Sequence, residues 1–141
     1  MMIKAILFDI SGVLHVDNEP VNGAIEAIQL ARNEQIVVRF VTNTSRKTST
    51  DMLQSLLQMG FDLSVEEVLT APGAVKLALQ QRKLRPYCLV HEKLRPEFAD
   101  LDQSSPNAVV IADAGDGFNY ANMNRAFQLV MDGAPLLGIG L

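Results

Sequence analysis

The stretch Ile3-Lys4-Ala5-Ile6-Leu7-Phe8-Asp9-Ile10-Ser11-Gly12 decides the fold, and the chain can be read outward from it. Its first six residues are apolar apart from Lys4, and a run of this length ending in Asp and Gly predicts a buried strand that opens into a loop. An aspartate at the carboxyl end of a central parallel strand lies where open α/β sheets bind their ligands. Asp9 is therefore a candidate nucleophile or metal ligand, and Gly12 lets the backbone turn close to a ligand. The alternative at this point is that Asp9 only caps a turn.

A second polar cluster, Thr42-Asn43-Thr44-Ser45, follows another apolar and β-branched run, residues 36–41. If the two strands are neighbours in a parallel sheet, this cluster and Asp9 meet at one edge. Hydroxyl groups, an amide and the backbone amides of a helix start together form a cradle for an anion. Arg46 and Lys47 lie beside the positive end of the helix dipole, where a bound anion would offset their charge. The cluster is therefore either a phosphate site or an ordinary N-capped helix start.

Runs of strand length alternate with segments of helical periodicity along the whole chain. This order is typical of parallel βαβ units and predicts an α/β fold with a three-layer, mainly parallel sheet. The predicted strands are 3–8, 36–41, 68–70, 86–91, 108–112 and 135–139, and the predicted helices are 23–33, a segment ending before Gly60, 72–83, 94–101 and 120–132. Asn22 is the candidate N-cap of the first helix, Ser64-Val65-Glu66-Glu67 fits a capping box, and Asp17-Asn18-Glu19-Pro20 is a turn cluster. The predicted amphipathic face of the last helix consists of apolar residues at helical spacing, which are Met123, Phe127, Val130 and Met131.

The composition restricts the class of protein more than the activity. Of the 141 residues 48% are apolar and 20% are charged, as in ordinary globular chains, and a net charge of −4 disfavours nucleic acid as a partner. The single cysteine, Cys88, excludes an intrachain disulfide and provides no zinc site. No apolar run approaches the roughly 20 residues of a membrane span, and the first residues show no signal-peptide pattern. We therefore expect a cytoplasmic protein with neither a nucleic-acid nor a membrane partner.

With these motifs in place, the chain resembles the haloacid dehalogenase superfamily. Residues 9–14 resemble its motif I and residues 42–45 its motif II, and three further stretches, 84–87, 107–115 and 120–124, resemble one phosphatase subgroup of it. The resemblance implies that residues 1–71 are the N-terminal part of a Rossmann-like core and residues 72–141 part of an inserted α/β cap. It also implies a hydrolase that acts in the cytoplasm and, as a second compartment, in the nucleus.

The resemblance further implies the roles of individual residues. Asp9 would be the nucleophile that forms an aspartyl-phosphate and also a ligand of Mg²⁺, with the backbone carbonyl of Ser11 as a second ligand. Thr42, Asn43 and Ser45 would bind the phosphoryl group. This assignment agrees with the needs of phosphoryl transfer, which are an in-line nucleophile, a metal ion and oriented donors.

One departure from the superfamily concerns proton transfer. Most members have an aspartate two residues after the nucleophile as general acid and base, whereas this chain has Ser11, as its subgroup does. A hydroxyl of ordinary acidity shuttles protons poorly near neutral pH. The proton for the leaving group must then come from another residue or from water, or the leaving group must need little protonation, which suits pyrophosphate and phosphoramidates better than alkyl phosphates. The resemblance implies inorganic pyrophosphate and the N-phosphorylated side chains phospholysine and phosphohistidine as the substrates. His15 is an alternative shuttle, beside the simpler reading of a loop histidine.

A second departure lies towards the end of the chain. The lysine of motif III and the acidic pair of motif IV have no counterpart in the 141 residues, and Asp113-Ala114-Gly115-Asp116 is interpreted as a cap turn rather than motif IV. The chain ends in an apolar strand, which suggests an incomplete version of a longer fold and makes a homodimer plausible. The alternatives to the pyrophosphatase are thus a truncated, non-catalytic binding protein and a general phosphomonoesterase.

Overall fold

The computed structural model describes residues 3–140, so Met1, Met2 and Leu141 lie outside it. The described chain divides into two compact units, the first comprising residues up to Thr42 together with Ser49–Thr70, and the second comprising Asn43–Thr48 together with the residues from Ala71 onward. The strands are β1 Ala5–Asp9, β2 His15–Val16, β3 Glu19–Pro20, β4 Val37–Thr42, β5 Val68–Thr70, β6 Pro86–Leu89, β7 Ala108–Ile111 and β8 Leu136–Gly138. The helices are α1 Ala24–Asn33, α2 Ser49–Gln58, α3 Ala71–Gln81 and α4 Tyr120–Met131, with short 3₁₀ segments at Val65–Glu67, Glu92–Phe98 and Gly115–Gly117.

The first unit is a parallel sheet in the order β1-β4-β5, with helices on one face. The register sets Phe8 opposite Phe40, and both belong to the cluster that packs against α1 and α2. Their rings stack with centroids 5.8 Å apart, and Phe40 is fully buried. On the opposite face, Leu7 is 70% exposed and Leu69 52% exposed, so within the described residues this side of the sheet carries no helix.

The second unit is a parallel sheet in the order β6-β7-β8 with helical segments on both faces. Leu79 of α3 and Phe98 of the 3₁₀ segment pack with Val110 on one face, whereas Leu129 of α4 packs with Val109 on the other. Because neighbouring residues of β7 point to opposite faces, this strand supplies both cores. The three-layer α/β arrangement expected from the sequence is therefore present in this unit.

Several local predictions are confirmed. Gly60 has φ +91° just after α2, where the left-handed conformation that ends a helix favours glycine. The Glu67 carboxylate accepts a hydrogen bond from the Ser64 amide at 3.0 Å, as the predicted capping box requires. The predicted turn after β7 is also present, because the Asp113 carboxylate accepts from the Gly115 amide at 3.1 Å.

Other local predictions are wrong or incomplete. Gly23, with φ +83°, occupies the N-cap of α1 in place of Asn22. The turn predicted at residues 17–20 contains a short antiparallel hairpin of β2 and β3, which the periodicity of so few residues did not indicate. In α4 the buried residues are Ala126 and Leu129. Of the predicted amphipathic face, Val130 is half-buried against the same core, whereas Met123, Phe127 and Met131 are exposed.

Candidate active site at the sheet edge

The loop after β1 presents Asp9 and Ser11 to solvent by burying the residues around them. Ile10 is fully buried and donates its amide to the Val41 carbonyl at 3.1 Å, which holds the end of β1 against β4. The Gly12 amide then donates to the His15 carbonyl at 2.8 Å, and Gly12 has φ +80°, where a side chain would add strain. The loop is thus a tight, anchored turn, and the side chains of Asp9 and Ser11 stay exposed.

Thr42 reaches the same edge from the neighbouring strand. Asp9 is opposite Val41 in the parallel register, so Thr42 lies one residue beyond the end of β1. Parallel neighbours are about 4.8 Å apart, which makes the ends of β1 and β4 adjacent. Thr42 is 6% exposed and lies opposite Thr70 of β5. The structure therefore brings Asp9, Ser11 and Thr42 together at one sheet edge.

Asn43 and Ser45 are placed differently, because segment 43–48 belongs to the second unit. There Ser45 lines a cavity of about 410 Å³ together with Asp113, Phe118 and Gly140. A Cβ atom on Gly140 would lie 3.4 Å from the Ser45 Cβ atom, so the two backbones run close together. The two predicted phosphate ligands thus lie beside residues of the second unit.

An ion pair joins this segment to the turn after β7 within the second unit. The Arg46 Nε atom donates to the Asp113 carboxylate at 2.6 Å, and this bond, followed by the one from the Gly115 amide, lowers the pKa of Asp113. The same hydrogen bond raises the pKa of Arg46. No local sequence pattern indicated the pair, since its members are 67 residues apart. Arg46, considered above as a partner for a bound anion, is instead already paired with a carboxylate.

His15 does not have the geometry of a proton shuttle. Its side chain is 8% exposed, and its Nδ1 atom lies 2.7 Å from the Asp17 carbonyl oxygen, to which it donates. Its Nε2 atom is the one buried side-chain polar atom without a hydrogen-bond partner in the described part of the chain. We interpret His15 as part of the β2–β3 hairpin that supports the loop.

The residues at this sheet edge offer only a few ligands to a magnesium ion. The Asp9 carboxylate is exposed, and the Ser11 carbonyl accepts none of the backbone hydrogen bonds of its loop. Residues 3–140 contain no group of three or more His, Cys, Asp or Glu side chains arranged for a metal. Mg²⁺ commonly keeps several waters and uses one or two protein carboxylates together with substrate phosphate oxygens. The donor set therefore suits Mg²⁺ held jointly with a phosphorylated substrate.

The comparisons with known proteins define the class. A family model described as haloacid dehalogenase-like hydrolase matches residues 6–104, and the chain belongs to that family. Among curated relatives, phospholysine phosphohistidine inorganic pyrophosphate phosphatase of Bos taurus is 46% identical over 134 residues, covering 92% of this chain and 50% of that protein. Haloacid dehalogenase-like hydrolase domain-containing protein 2 of Rattus norvegicus is 42% identical over 138 residues, covering 98% of this chain and 53% of that protein. The chain thus spans about half the length of these relatives.

Solved structures agree with the fold. The hypothetical protein PH1952 from Pyrococcus horikoshii OT3 matches with a TM-score of 0.80 and 27% identity, covering 95% of this chain and 57% of that one. NagD from E. coli K-12 matches with a TM-score of 0.80 and 24% identity, over 98% of this chain and 57% of that one.

Among residues 3–140, none of the helices combines the length and the apolar character of a membrane span.

Proposed function

We propose that this chain carries the nucleophile half of a Mg²⁺-dependent phosphatase that hydrolyses inorganic pyrophosphate or N-phosphorylated lysine and histidine through an aspartyl-phosphate. The observation that carries the proposal is the placement of Asp9 and Thr42 at the ends of adjacent parallel strands. Open α/β sheets bind ligands at this edge. Family membership and the name of the bovine relative support the reaction class.

In the first step, a carboxylate oxygen of Asp9 attacks the phosphorus atom and forms the aspartyl-phosphate. The bond from phosphorus to the bridging oxygen or nitrogen breaks, and the leaving group keeps its electron pair and takes a proton from water. In the second step, water hydrolyses the acyl phosphate and releases inorganic phosphate. The Thr42 hydroxyl donates to an equatorial oxygen, and bound Mg²⁺ would neutralise phosphoryl charge.

The substrate class follows from Ser11. Its hydroxyl lies at the position where most of the superfamily has a general acid, and a hydroxyl is too weak an acid to protonate a departing alkoxide. Pyrophosphate leaves as a phosphate anion, and a phosphoramidate nitrogen can be protonated before the bond breaks. Both therefore suit this site better than alkyl phosphates do.

The test compares substrates and variants in one assay. Purified protein is given Mg²⁺ with pyrophosphate, phosphohistidine, phospholysine or an alkyl phosphomonoester, and released phosphate is measured. We expect turnover of the first three substrates and its loss in Asp9→Asn. The matched control is Asp17→Asn, because Asp17 is an exposed aspartate whose backbone, not its side chain, contacts His15. Equal rates for wild type and Asp9→Asn would contradict the proposal, and a preference for the alkyl ester would favour a general phosphomonoesterase.

A binding role without catalysis is the second candidate, and the bare face of the first unit favours it. Leu7, Val37 and Leu69 are at least half exposed on that face, whereas parallel sheets are normally covered on both sides. The occupant we propose is a polypeptide equivalent to the part of the relatives that this chain does not match. Adding that polypeptide in trans should protect this face from hydrogen exchange, and an unchanged exchange pattern would exclude this role.

We further propose that the protein acts on small phosphorylated molecules in the cytoplasm, with the nucleus as a second compartment. The lone Cys88 supports a reducing environment. Burial raises the pKa of its thiol to about 11, so it stays protonated and unreactive near neutral pH.

A further inference from the structure

The loop that leads into β7 carries a serine that the site described above does not use. Ser105 is exposed, and its hydroxyl has no hydrogen-bond partner among residues 3–140. The neighbouring Ser104 differs, because its hydroxyl donates to the Asp102 carboxylate at 2.6 Å and its amide donates to the same oxygen at 2.9 Å. Of these two adjacent serines, only Ser105 therefore has a hydroxyl that is free to react.

Ser105 is also followed by Pro106, and no other serine or threonine of the 141 residues precedes a proline. Proline has no backbone N–H group. A kinase that needs no hydrogen bond from the residue after its target accepts such a sequence, whereas a kinase that requires this bond rejects it. The stretch therefore fits a proline-directed serine kinase with ATP as the phosphoryl donor.

The backbone conformation of Ser105 favours entry into such an enzyme. Its φ angle of +43° lies in the left-handed region, which is strained for a residue with a side chain. A residue before proline prefers extended backbone instead. Because a kinase binds its target segment in extended form, opening this turn relieves strain.

Arg85 lies where it can hold a phosphate group on this loop. Its Nε atom donates to the carbonyl oxygens of Ser104 at 2.9 Å and Ser105 at 3.1 Å, which orients the guanidinium beside Ser105. Its two Nη atoms have no hydrogen-bond or ion-pair partner in the described part of the chain. The pKa of Asp102 is lowered mainly by the hydrogen bonds from Ser104 and to a smaller extent by the charge of Arg85. A guanidinium placed in this way can bind two phosphate oxygens at once.

We propose that Ser105 is a phosphorylation site for a proline-directed serine kinase and that Arg85 binds the resulting phosphate. The Ser105 Oγ atom attacks the γ-phosphorus of ATP, the bond from that phosphorus to the bridging oxygen breaks, and ADP leaves with the electron pair. The hydroxyl proton passes to a base of the kinase. The product places roughly two negative charges beside Arg85 at neutral pH.

The new ion pair would strengthen a junction that already exists between the first two strands of the second unit. Arg85 directly precedes β6, and its amide donates to the Asn107 side-chain oxygen at 2.7 Å, directly before β7. A phosphate held by Arg85 adds a second link between the same two segments. Phosphorylation is therefore expected to stabilise the second unit.

Mass spectrometry tests the site itself. The protein carries Asp9→Asn, so that its own proposed phosphatase activity cannot remove the phosphate, and it is incubated with Mg²⁺, ATP and a mitogen-activated protein kinase, which acts on serine before proline. We expect one phosphoryl group on Ser105, retained in Ser104→Ala and lost in Ser105→Ala and Pro106→Ala. A phosphate on Ser104, or no phosphate at all, would overturn the proposal.

Thermal unfolding tests the role of Arg85. Each variant is compared with and without the phosphate, so any effect of the substitution on the unmodified protein cancels. Phosphorylation should raise the melting temperature by about 4 °C, and equally in the matched control Arg125→Gln, which replaces an exposed arginine of α4. The rise should be absent in Arg85→Gln and should disappear in about 1 M salt, which screens the pair.

A rise in Arg85→Gln equal to that of the control would overturn the binding of the phosphate by Arg85. If Arg85→Gln does not fold, Arg85→Lys takes its place, because lysine keeps the charge but not the planar fork. It should then show less than half of the rise, and a full rise would count against the proposal. None of these measurements depends on phosphatase activity.

Discussion

Replacing Arg32 by alanine is expected to lower the free energy of unfolding of the protein by about 2–3 kcal/mol. Arg32 lies in the last turn of α1 and donates two hydrogen bonds from Nη2 to the Glu67 carboxylate, at 2.9 and 2.7 Å. Its Nη1 atom donates a third, at 2.7 Å, to the Asp62 carbonyl. Side-chain exposures of 29% and 19% for Arg32 and Glu67 mean that water competes only partly for this pair. The pair thereby links α1 to the segment that leads into β5.

The magnitude follows from these contacts. An exposed ion pair contributes at most about 1 kcal/mol, whereas half-buried hydrogen bonds between charged groups contribute about twice as much or more. For a chain of this length, each kcal/mol shifts the melting temperature by about 4 °C, so Arg32→Ala should melt about 10 °C lower. Lys76→Ala, which removes a single contact to the exposed Asp100, should melt close to the wild type.

A double-mutant cycle tests this magnitude. The free energy of unfolding is measured by heat and by urea for the wild type, Arg32→Ala, Glu67→Ala and the double variant. We expect a coupling energy of about 1–2 kcal/mol between the two positions. A coupling near zero, or a melting temperature of Arg32→Ala equal to that of Lys76→Ala, would refute the view that this pair organises the first unit.

Three further predictions concern the core, the site and the cysteine. Phe40→Ala should cost about 3–5 kcal/mol in a urea titration because Phe40 is fully buried, whereas Leu7→Ala, at a 70% exposed position, should stay within about 0.5 kcal/mol of wild type. Thr42→Val should keep the fold, as judged by circular dichroism, but reduce pyrophosphate turnover about 100-fold by removing one donor. Since the pKa of Cys88 is raised from 9.0 to about 11, its burial stabilises the fold below pH 9, and this contribution is lost as the pH rises towards 11. Iodoacetamide at pH 7.5 should therefore modify native Cys88 about 100-fold more slowly than the unfolded chain, and equal rates would contradict that burial.

The sequence predicted best those features that depend on the local conformational preference of a residue. Gly12 and Gly60 mark turns because both positions need positive φ angles. The apolar run before Asp9 and the alternation of elements predicted two parallel strands whose ends meet. These features depend on residues that are close together along the chain, so they can be predicted from one sequence.

Features that depend on distant residues were not predictable in this way. The periodicity of α4 identified Met123, Phe127 and Met131 as a stripe, but a helix with two apolar faces does not indicate which one meets the sheet. The smaller Ala126 is buried because it lets the helix approach the strands closely. Likewise, Arg46 of segment 43–48 pairs with Asp113 within the second unit, and no local pattern indicates that pairing.

The central claim is that Asp9 is the residue that accepts the phosphoryl group. The most direct measurement is to incubate the protein with Mg²⁺ and ³²P-labelled pyrophosphate, quench in acid, and map the labelled peptide. The account predicts one hydroxylamine-sensitive acyl phosphate on Asp9, absent in Asp9→Asn and retained in Asp17→Asn. A label on another residue, or phosphate release without any label on Asp9, would contradict it.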